Sequence, residues 1–194
     1  MFKNKRVYEL TEIALMSGVF CVLAPVAMPI PFSPVPITFG TFILYLTAAV
    51  LGCRKGVISV AVYLLIGLAG LPVFSGFTAG FTKLLGPGGG YMIGYLPAAL
   101  LIGWLVDMAV KKGKMSGARW KQGLVFAGIF FCGAFLCYSF GTVWFVCVMD
   151  GSYTPGQALL VCVVPFLPFE LIKIAMAAVL LPTVRKMLRY AGVL

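Results

Sequence analysis

An acidic and a basic residue, Glu170 and Lys173, lie three positions apart in a long apolar stretch near the end of the chain. In a helix, positions i and i+3 share one face, so the two side chains are expected to be neighbours. A charged side chain near the centre of a bilayer costs about 2.5–3.5 kcal/mol, and such residues usually have a function. The pair therefore predicts a ligand site. The alternative is a structural ion pair that locks two helices together.

What the rest of the chain lacks limits the chemistry of this pair. There is no histidine, no second carboxylate near Glu170 and no Gly-x-Ser-x-Gly element, so a general base would have no partner. The glycine-rich run at 86–91 lacks the Gly-Lys-Ser/Thr ending of a phosphate-binding loop, and it is either a tight turn or a close approach to a ligand. The six cysteines form no Cys-x-x-Cys pair. We expect no enzyme activity, no metal and no cofactor.

The composition identifies the environment of the pair. The chain has 194 residues, of which 62% are hydrophobic and 10% are charged, and its mean hydropathy is +1.08. Soluble domains are about 45–50% apolar and about 25% charged. The fold class expected is therefore an all-α integral membrane protein, with residues 1–194 forming a single membrane domain.

The positions of the basic residues predict the topology. The net charge of +10 could indicate nucleic-acid binding, but most of the fifteen Lys and Arg fall in short clusters between apolar segments. That pattern is typical of loops on the cytoplasmic side of a membrane. The clusters consist of Lys3, Lys5 and Arg6; Arg54 and Lys55; Lys111, Lys112, Lys114, Arg119 and Lys121; and Arg185, Lys186 and Arg189.

The apolar segments between these clusters predict six transmembrane helices with both termini cytoplasmic. Even numbers of spans return the chain to the side on which it began. The second and third segments are short for a spanning helix, and the fifth is long enough to tilt. The predicted spans are about 10–29, 37–52, 57–71, 91–109, 122–148 and 157–182.

The remaining connections are expected to face outward. Residues 30–36 are rich in proline and predict a stiff, extended segment without internal hydrogen bonds. Residues 72–90 are glycine-rich and apolar, which is typical of non-helical backbone that lines a cavity, so we expect a loop capping an outward-facing pocket. Lys83 in this loop and Lys173 are the two basic residues outside the clusters, and they suggest an outward site for anions. Lys83 could instead be solvated, or reach to lipid headgroups.

Two further patterns bear on the site and its surroundings. Pro165 and Pro168 should break the last helix just before Glu170, and broken helices often carry substrate sites in transporters. Ala14 and Gly18 have the spacing of small residues that lets another helix approach closely. Internal packing is the simpler interpretation of that second pattern.

Four segments resemble, in their order and spacing, the BioY family of biotin-specific capture components of energy-coupling factor (ECF) transporters. The resemblance covers most of the chain. The segments are PFSPVPITFGTF at 31–42, LIGLAGLPVFSG at 65–76, LLGPGGGYMIGYLPAALLIG at 84–103 and FLPFELIKIAMAAVL at 166–180.

The resemblance implies a six-helix bundle in a prokaryotic cell membrane that binds biotin from outside and passes it inward. Partner ATPase subunits and a transmembrane coupling subunit would supply the energy. The acid and lysine of the last helix correspond to Glu170 and Lys173. The residues implied in closing over biotin are Thr78, Tyr91 and Lys83, and those implied in partner docking are Ala14 and Gly18.

The chain departs from the family pattern at three positions. Glu170 stands where an aspartate is common, Gly40 where a glutamine is common, and Met92 where some members have arginine. The last difference puts in question which group meets the biotin carboxylate. Two alternative functions remain open at this point: a capture component for another vitamin, such as thiamine or riboflavin, and a small intramembrane enzyme.

Overall fold

The fold is built from helices and one short β-hairpin. A computed structural model describes residues 5–31, 33–113 and 118–190. A 3-10 turn, Val164–Phe166, precedes the final helix. The elements are α1 (Lys5–Leu23), β1 (Ala27–Ile30), β2 (Ser33–Thr38), α2 (Gly40–Leu68), α3 (Phe81–Leu85), α4 (Gly89–Lys111), α5 (Arg119–Val148), α6 (Pro155–Cys162) and α7 (Leu167–Tyr190).

Among the described residues, four helical stretches are long and apolar enough to cross a membrane. They are α2, α4, α5 and the segment Pro155–Leu188, which contains α6 and most of α7. Helix α1 has 19 residues, but Arg6, Glu9 and Glu12 lower the hydropathy of its first half. The chain is thus a helical, multi-pass membrane protein.

Helix α2 contains a one-residue break where the sequence predicted two separate helices, 37–52 and 57–71. Gly52 has φ 76°, so the helix consists of two parts, residues 40–51 and 53–68. This left-handed backbone conformation is open to glycine at little cost. No polar loop separates the two parts, because the helix is interrupted at a single residue.

Neighbouring side chains satisfy the backbone groups that this break leaves free. The Cys53 N–H donates to Asp107 Oδ2 at 3.1 Å, and Arg185 Nη1 donates to the Ala49 carbonyl at 3.0 Å. Helix ends otherwise leave such groups without partners. Gly103 of α4 permits this crossing, because a Cβ there would lie 2.5–2.7 Å from the backbone of the break.

The proline-rich segment forms an antiparallel hairpin rather than an isolated extended segment. Helix α1 ends at Leu23, before the predicted boundary at 29, because Pro25 lies two residues further on and lacks an N–H. Strands β1 and β2 pair, with an irregularity between Met28 and Ile30. Val35 and Ile37 alternate inward, as period-two side chains of a strand do, and pack in a small core with α5 and α6.

The main core lies between α2, α4 and α5. Tyr45 of α2 stacks on Phe130 of α5, with ring centroids 4.9 Å apart and the planes 15° from parallel. Phe130 also stacks on Phe126 at 6.0 Å. Gly133 makes room for Ile102 of α4, whose side chain occupies the place of a Cβ. Aromatic stacking thus packs α2 against α5, and the Gly133–Ile102 contact packs α4 against it.

The glycine-rich segment between α2 and α4 is anchored at several points. Phe74 is fully buried against Tyr63, edge to face with centroids 5.8 Å apart, and its ring fills the space beside Gly67. The Gly76 N–H donates to the Pro25 carbonyl at 2.9 Å. Trp144 of α5 donates to the Gly86 carbonyl at 3.2 Å. This segment is thus fixed to α2, to α5 and to the turn between α1 and β1.

Replacing Gly52 with alanine should destabilise the fold. A Cβ at Gly52 would force a side chain into left-handed backbone and approach Asp107 Oδ1 to 2.8 Å. Gly113 has a similar φ of 68° with nothing within 4 Å. Gly113→Ala should cost about 1–2 kcal/mol through backbone strain alone, and Gly52→Ala should cost at least about 1 kcal/mol more through crowding. Thermal unfolding of the purified variants measures both, and equal losses would contradict the close contact.

Candidate ligand-binding site

A cavity of about 220 Å³ lies among the hairpin, the loop and the helices α2, α4, α5 and α7. Lys173 and Thr41 line it on the side of the helices, and Lys83 lines it on the side of the loop. Apolar and aromatic side chains form the walls between these polar groups. These wall residues include Tyr63, Tyr91, Met92, Tyr95, Tyr138 and Phe166. A largely apolar cavity with a few placed polar groups is typical of a small-molecule site.

Glu170 is 3% exposed and has four hydrogen-bond donors around its carboxylate. Thr41 Oγ1 and the Tyr138 hydroxyl each donate to Oε2 at 3.1 Å. Lys173 Nζ donates to the same oxygen at 3.0 Å, and the Tyr45 hydroxyl donates to Oε1. A carboxylate offers about four acceptor positions. The carboxylate of Glu170 is therefore held by partners within the protein, three of them on Oε2.

Lys173 is 8% exposed and is held in one position. Its ammonium donates to Glu170 Oε2 and to Thr41 Oγ1, both at 3.0 Å. An ammonium has three N–H groups. Among the described residues the third N–H has no acceptor and is left for a ligand. Lys173 lines the cavity, whereas Glu170 lies behind it.

The local structure of α2 explains how this network forms. Helix α2 begins at Gly40, so Thr41 and Tyr45 lie one turn apart on the face towards α7. Gly40 is required there, because a Cβ would overlap the Tyr95 hydroxyl. The Tyr95 hydroxyl thus takes the space of a side chain at this position, and Tyr95 itself lines the cavity.

The break before α7 places the charged pair at the start of a helix. Helix α6 ends at Cys162, the 3-10 turn contains Pro165, and Pro168 occupies the first turn of α7. Proline is tolerated in a first turn because its missing N–H would have no helical partner. Glu170 then follows in that same turn.

The site residues expected from the sequence fall into three groups. Tyr91 and Lys83 line the cavity together with Lys173, and Glu170 contacts Lys173 from behind. Thr78 lies outside the lining, since its hydroxyl donates to the Ser75 carbonyl at 3.1 Å and closes a turn of the loop. Ser75 and Thr82 are the hydroxyl residues of the loop that line the cavity instead.

Ala14 and Gly18, expected to dock a partner, are exposed on α1 and lie away from the cavity. Nothing lies within 4 Å of the position of a Cβ at Gly18. Within the described residues, this pair therefore does not serve internal helix packing.

Sequence reasoning missed the three hydroxyls that hold Glu170. Thr41 and Tyr45 carried a signal, because two polar residues at helical spacing in an apolar segment must face a polar partner. Tyr138 carried none, since a lone tyrosine in a spanning helix is common at any depth. The lining also contains two buried thiols, Cys137 and Cys162.

Comparison with known proteins identifies the family. A family model described as "BioY family" matches residues 1–190. The chain belongs to the BioY family. It is 34% identical over 176 residues to "Biotin transporter BioY" of Thermotoga maritima, which covers 89% of this chain and 95% of that protein. It is 31% identical over 188 residues to "Biotin transporter BioY" of Lactococcus lactis, covering 96% and 95% of the two chains.

A solved structure has the same fold. It is the crystal structure of "the S-component for biotin from an ECF-type ABC transporter", which superposes with a TM-score of 0.83 at 28% sequence identity. The superposition covers 96% of this chain and 95% of that one. The two chains therefore share the fold over almost their whole length.

Breaking the charged pair should reveal strong coupling between its members. Glu170→Gln leaves a buried ammonium without a counter-ion and should cost about 3–5 kcal/mol. Lys173→Met leaves Glu170 with three hydroxyl donors and should cost about 1–3 kcal/mol. The double variant should lose at least about 1 kcal/mol less stability than the sum of the two single losses. Unfolding of the purified proteins measures all three values.

The ion pair between Lys55 and Glu12, 2.5 Å apart with the lysine side chain 31% exposed, is the matched control. Lys55→Met should cost only about 0–1 kcal/mol. Additive losses at Glu170 and Lys173 would contradict the direct pairing.

Proposed function

We propose that this chain is the biotin-binding capture component of a vitamin uptake transporter. The observation that carries this is the apolar cavity with a positioned ammonium, Lys173, that has one free N–H. Relatives named as biotin transporters align with this chain over almost their full length, which supports the proposal. The fold shared with a biotin S-component supports it as well. Such a protein binds and releases its ligand without chemical change, so it is not an enzyme.

Biotin fits the polar groups on the helical side of the cavity. Its fused rings suit aromatic walls, and its ureido carbonyl accepts hydrogen bonds. We infer that the free N–H of Lys173 donates to that carbonyl. Glu170 fixes the lysine from behind, as its counter-ion. Glu170 thus contributes to biotin binding through Lys173.

The valerate carboxylate needs a donor on the loop side of the cavity. Met92 supplies no charge at the position where some relatives have arginine. Lys83, Thr82 and Ser75 line the cavity from the loop, and Lys83 is the cation among them. We infer that Lys83 binds the carboxylate, with Tyr91 packing against the chain of the ligand. Thr78 contributes indirectly, by holding the turn at Ser75.

The topology proposed has six crossings, with both termini in the cytoplasm of a prokaryotic cell and one membrane domain. The break at Gly52 lets α2 provide two of the crossings, and the cluster Arg54–Lys55 lies at that break. Basic residues favour the cytoplasmic side. The hairpin and the glycine-rich loop then cover the cavity on the outer side, where biotin arrives.

The chain carries no nucleotide-binding motif, so we propose that ECF-type ATPase subunits and a transmembrane coupling subunit drive the uptake. Small residues let helices in a membrane approach closely. Ala14 and Gly18 are exposed on α1, which makes this surface our candidate for docking the coupling subunit. The cell membrane is the location this assembly requires.

A different vitamin is less compatible with the cavity. Thiamine is a cation, whereas Lys173 and Lys83 line this cavity and the carboxylate of Glu170 is occupied by four donors. Riboflavin carries no carboxylate for Lys83. The cavity thus favours a ligand with one anionic end and one carbonyl.

Calorimetric titration of the purified protein tests the function. Biotin should bind with micromolar affinity or better, whereas thiamine and riboflavin should give no heat. Biotin amide should bind more weakly than biotin, because it lacks the carboxylate. Lys173→Met should weaken the binding of biotin and of biotin amide at least about tenfold, because one hydrogen bond to a charged group is lost.

Lys83→Met should weaken the binding of biotin and leave the binding of biotin amide unchanged. The two ligands should then bind with the same affinity. Lys112→Met, which removes an exposed lysine outside the cavity, is the matched control and should bind like the unmodified chain. A protein that binds no biotin would refute the function. A Lys83→Met variant that still prefers biotin would refute only the role of Lys83.

Bulky residues on the exposed face of α1 should block assembly without affecting capture. Gly18→Leu and Ala14→Leu should lower co-purification with the coupling subunit and biotin uptake by cells, while biotin titration stays unchanged. Gly128→Leu adds the same bulk to α5, where a Cβ also has nothing within 4 Å, and should have no effect on either. Equal loss of uptake in all three variants would argue against a specific docking surface.

A further inference from the structure

A second cleft lies at the opposite end of the bundle from the biotin cavity. It has a volume of about 530 Å³ and lies between the first half of α1, the break in α2 and the end of α4. The cavity described above is lined by later residues of α1 and by earlier residues of α2 and α4. The two sites are therefore separated along the same helices.

The floor of the cleft is apolar and continues onto the outside of the bundle. Leu10, Ile13, Leu51 and Ile58 line it, and Leu10 and Ile58 are 66% and 40% exposed. In a membrane protein such exposed side chains contact acyl chains. The cleft is thus open to the lipid phase beside the cluster of basic residues at this end.

The charges of the cleft divide into those that are satisfied and those that are not. Lys55 pairs with Glu12 at 2.5 Å, and Asp107 accepts from the Cys53 N–H. Within the described part of the chain, the other charged residues of the lining form no ion pair or hydrogen bond; they are Arg6, Arg54 and Glu9.

Two guanidinium groups and one carboxylate define the complementary ligand. Guanidinium groups bind phosphate through paired N–H donors. A carboxylate nearby favours a cation that donates hydrogen bonds. Phosphatidylethanolamine combines a phosphate with a primary ammonium and carries acyl chains for the apolar floor. Phosphatidylglycerol lacks the cation, and phosphatidylcholine has a quaternary ammonium without N–H groups.

We propose that this cleft is a binding site for phosphatidylethanolamine. Arg6 and Arg54 bind its phosphate, Glu9 accepts from its ammonium, and one acyl chain lies over Leu10 and Ile58. Basic pockets between helices at a membrane surface are known lipid-headgroup sites. The lipid would link the first helix to the break in α2, which no ion pair other than that of Lys55 and Glu12 does among the described residues.

Native mass spectrometry of the purified full chain, offered equal amounts of the three phospholipids, tests the proposal. Phosphatidylethanolamine should be retained about tenfold more than either competitor, the ratio that one charge-assisted hydrogen bond gives. Glu9→Gln should reduce its retention to that of phosphatidylglycerol. Arg6→Gln/Arg54→Gln should reduce the retention of all three lipids.

Lys111→Gln/Lys112→Gln removes the same charge at the same end, outside the lining, and should retain lipids like the unmodified chain. Gel filtration checks that each variant is folded, and the Glu9→Gln result decides the question if the arginine variant is not. Equal retention of the three lipids would overturn the proposal and indicate that a protein segment occupies the cleft instead. So would displacement of the lipid by an equal concentration of soluble glycerophosphoethanolamine, since the acyl chains would then contribute nothing.

Discussion

The buried ion pair between Glu170 and Lys173 sets the requirement that three helices must meet. Removing two charges from water costs several kcal/mol per ion, and their attraction offsets this only where the remaining donors and acceptors are also satisfied. Thr41 and Tyr45 of α2 and Tyr138 of α5 supply the missing donors. Because the pair sits on α7, its stabilisation draws α2 and α5 to that helix. The stacking of Tyr45 on Phe130 adds apolar contact to the same junction.

The position of the pair also accounts for the irregular backbone around the cavity. Helix α2 begins at Gly40, one residue before Thr41, and α7 begins at Leu167, three residues before Glu170. Next to these starting points, the hairpin and the glycine-rich loop border the cavity. Non-helical backbone is tolerated at such depth only when it is buried in protein or lines a cavity. Here the strand β2 and the residues around Gly86 do line it.

Helix α1 connects the proposed ligand site with the proposed docking surface. Phe20 is fully buried, with its ring 4.3 Å from that of Tyr63 and 5.9 Å from that of Tyr95, and both tyrosines line the cavity. Gly18, two residues earlier, faces outward. One helix thus borders the ligand on one side and is free to meet another protein on the other. This division of faces suits a component that must respond to a bound ligand and also associate with partners.

The sequence by itself determined the membrane class, the ends that carry basic charge, the break before the last helix and the unusual placement of Glu170 and Lys173 in an apolar helix. Each of these follows from a local free-energy cost, because charges and prolines in apolar helices are unfavourable wherever the helix lies. Only the tertiary structure decided that Glu170 lies behind Lys173, that Thr78 closes a turn while Ser75 and Thr82 line the cavity, and that the prolines of 29–36 form a hairpin. These depend on residues far apart in sequence, such as Gly40 and Tyr95, whose contact no local pattern records. In the structure, the ammonium of Lys173 is thus fixed by the carboxylate of Glu170, which three hydroxyls hold in place.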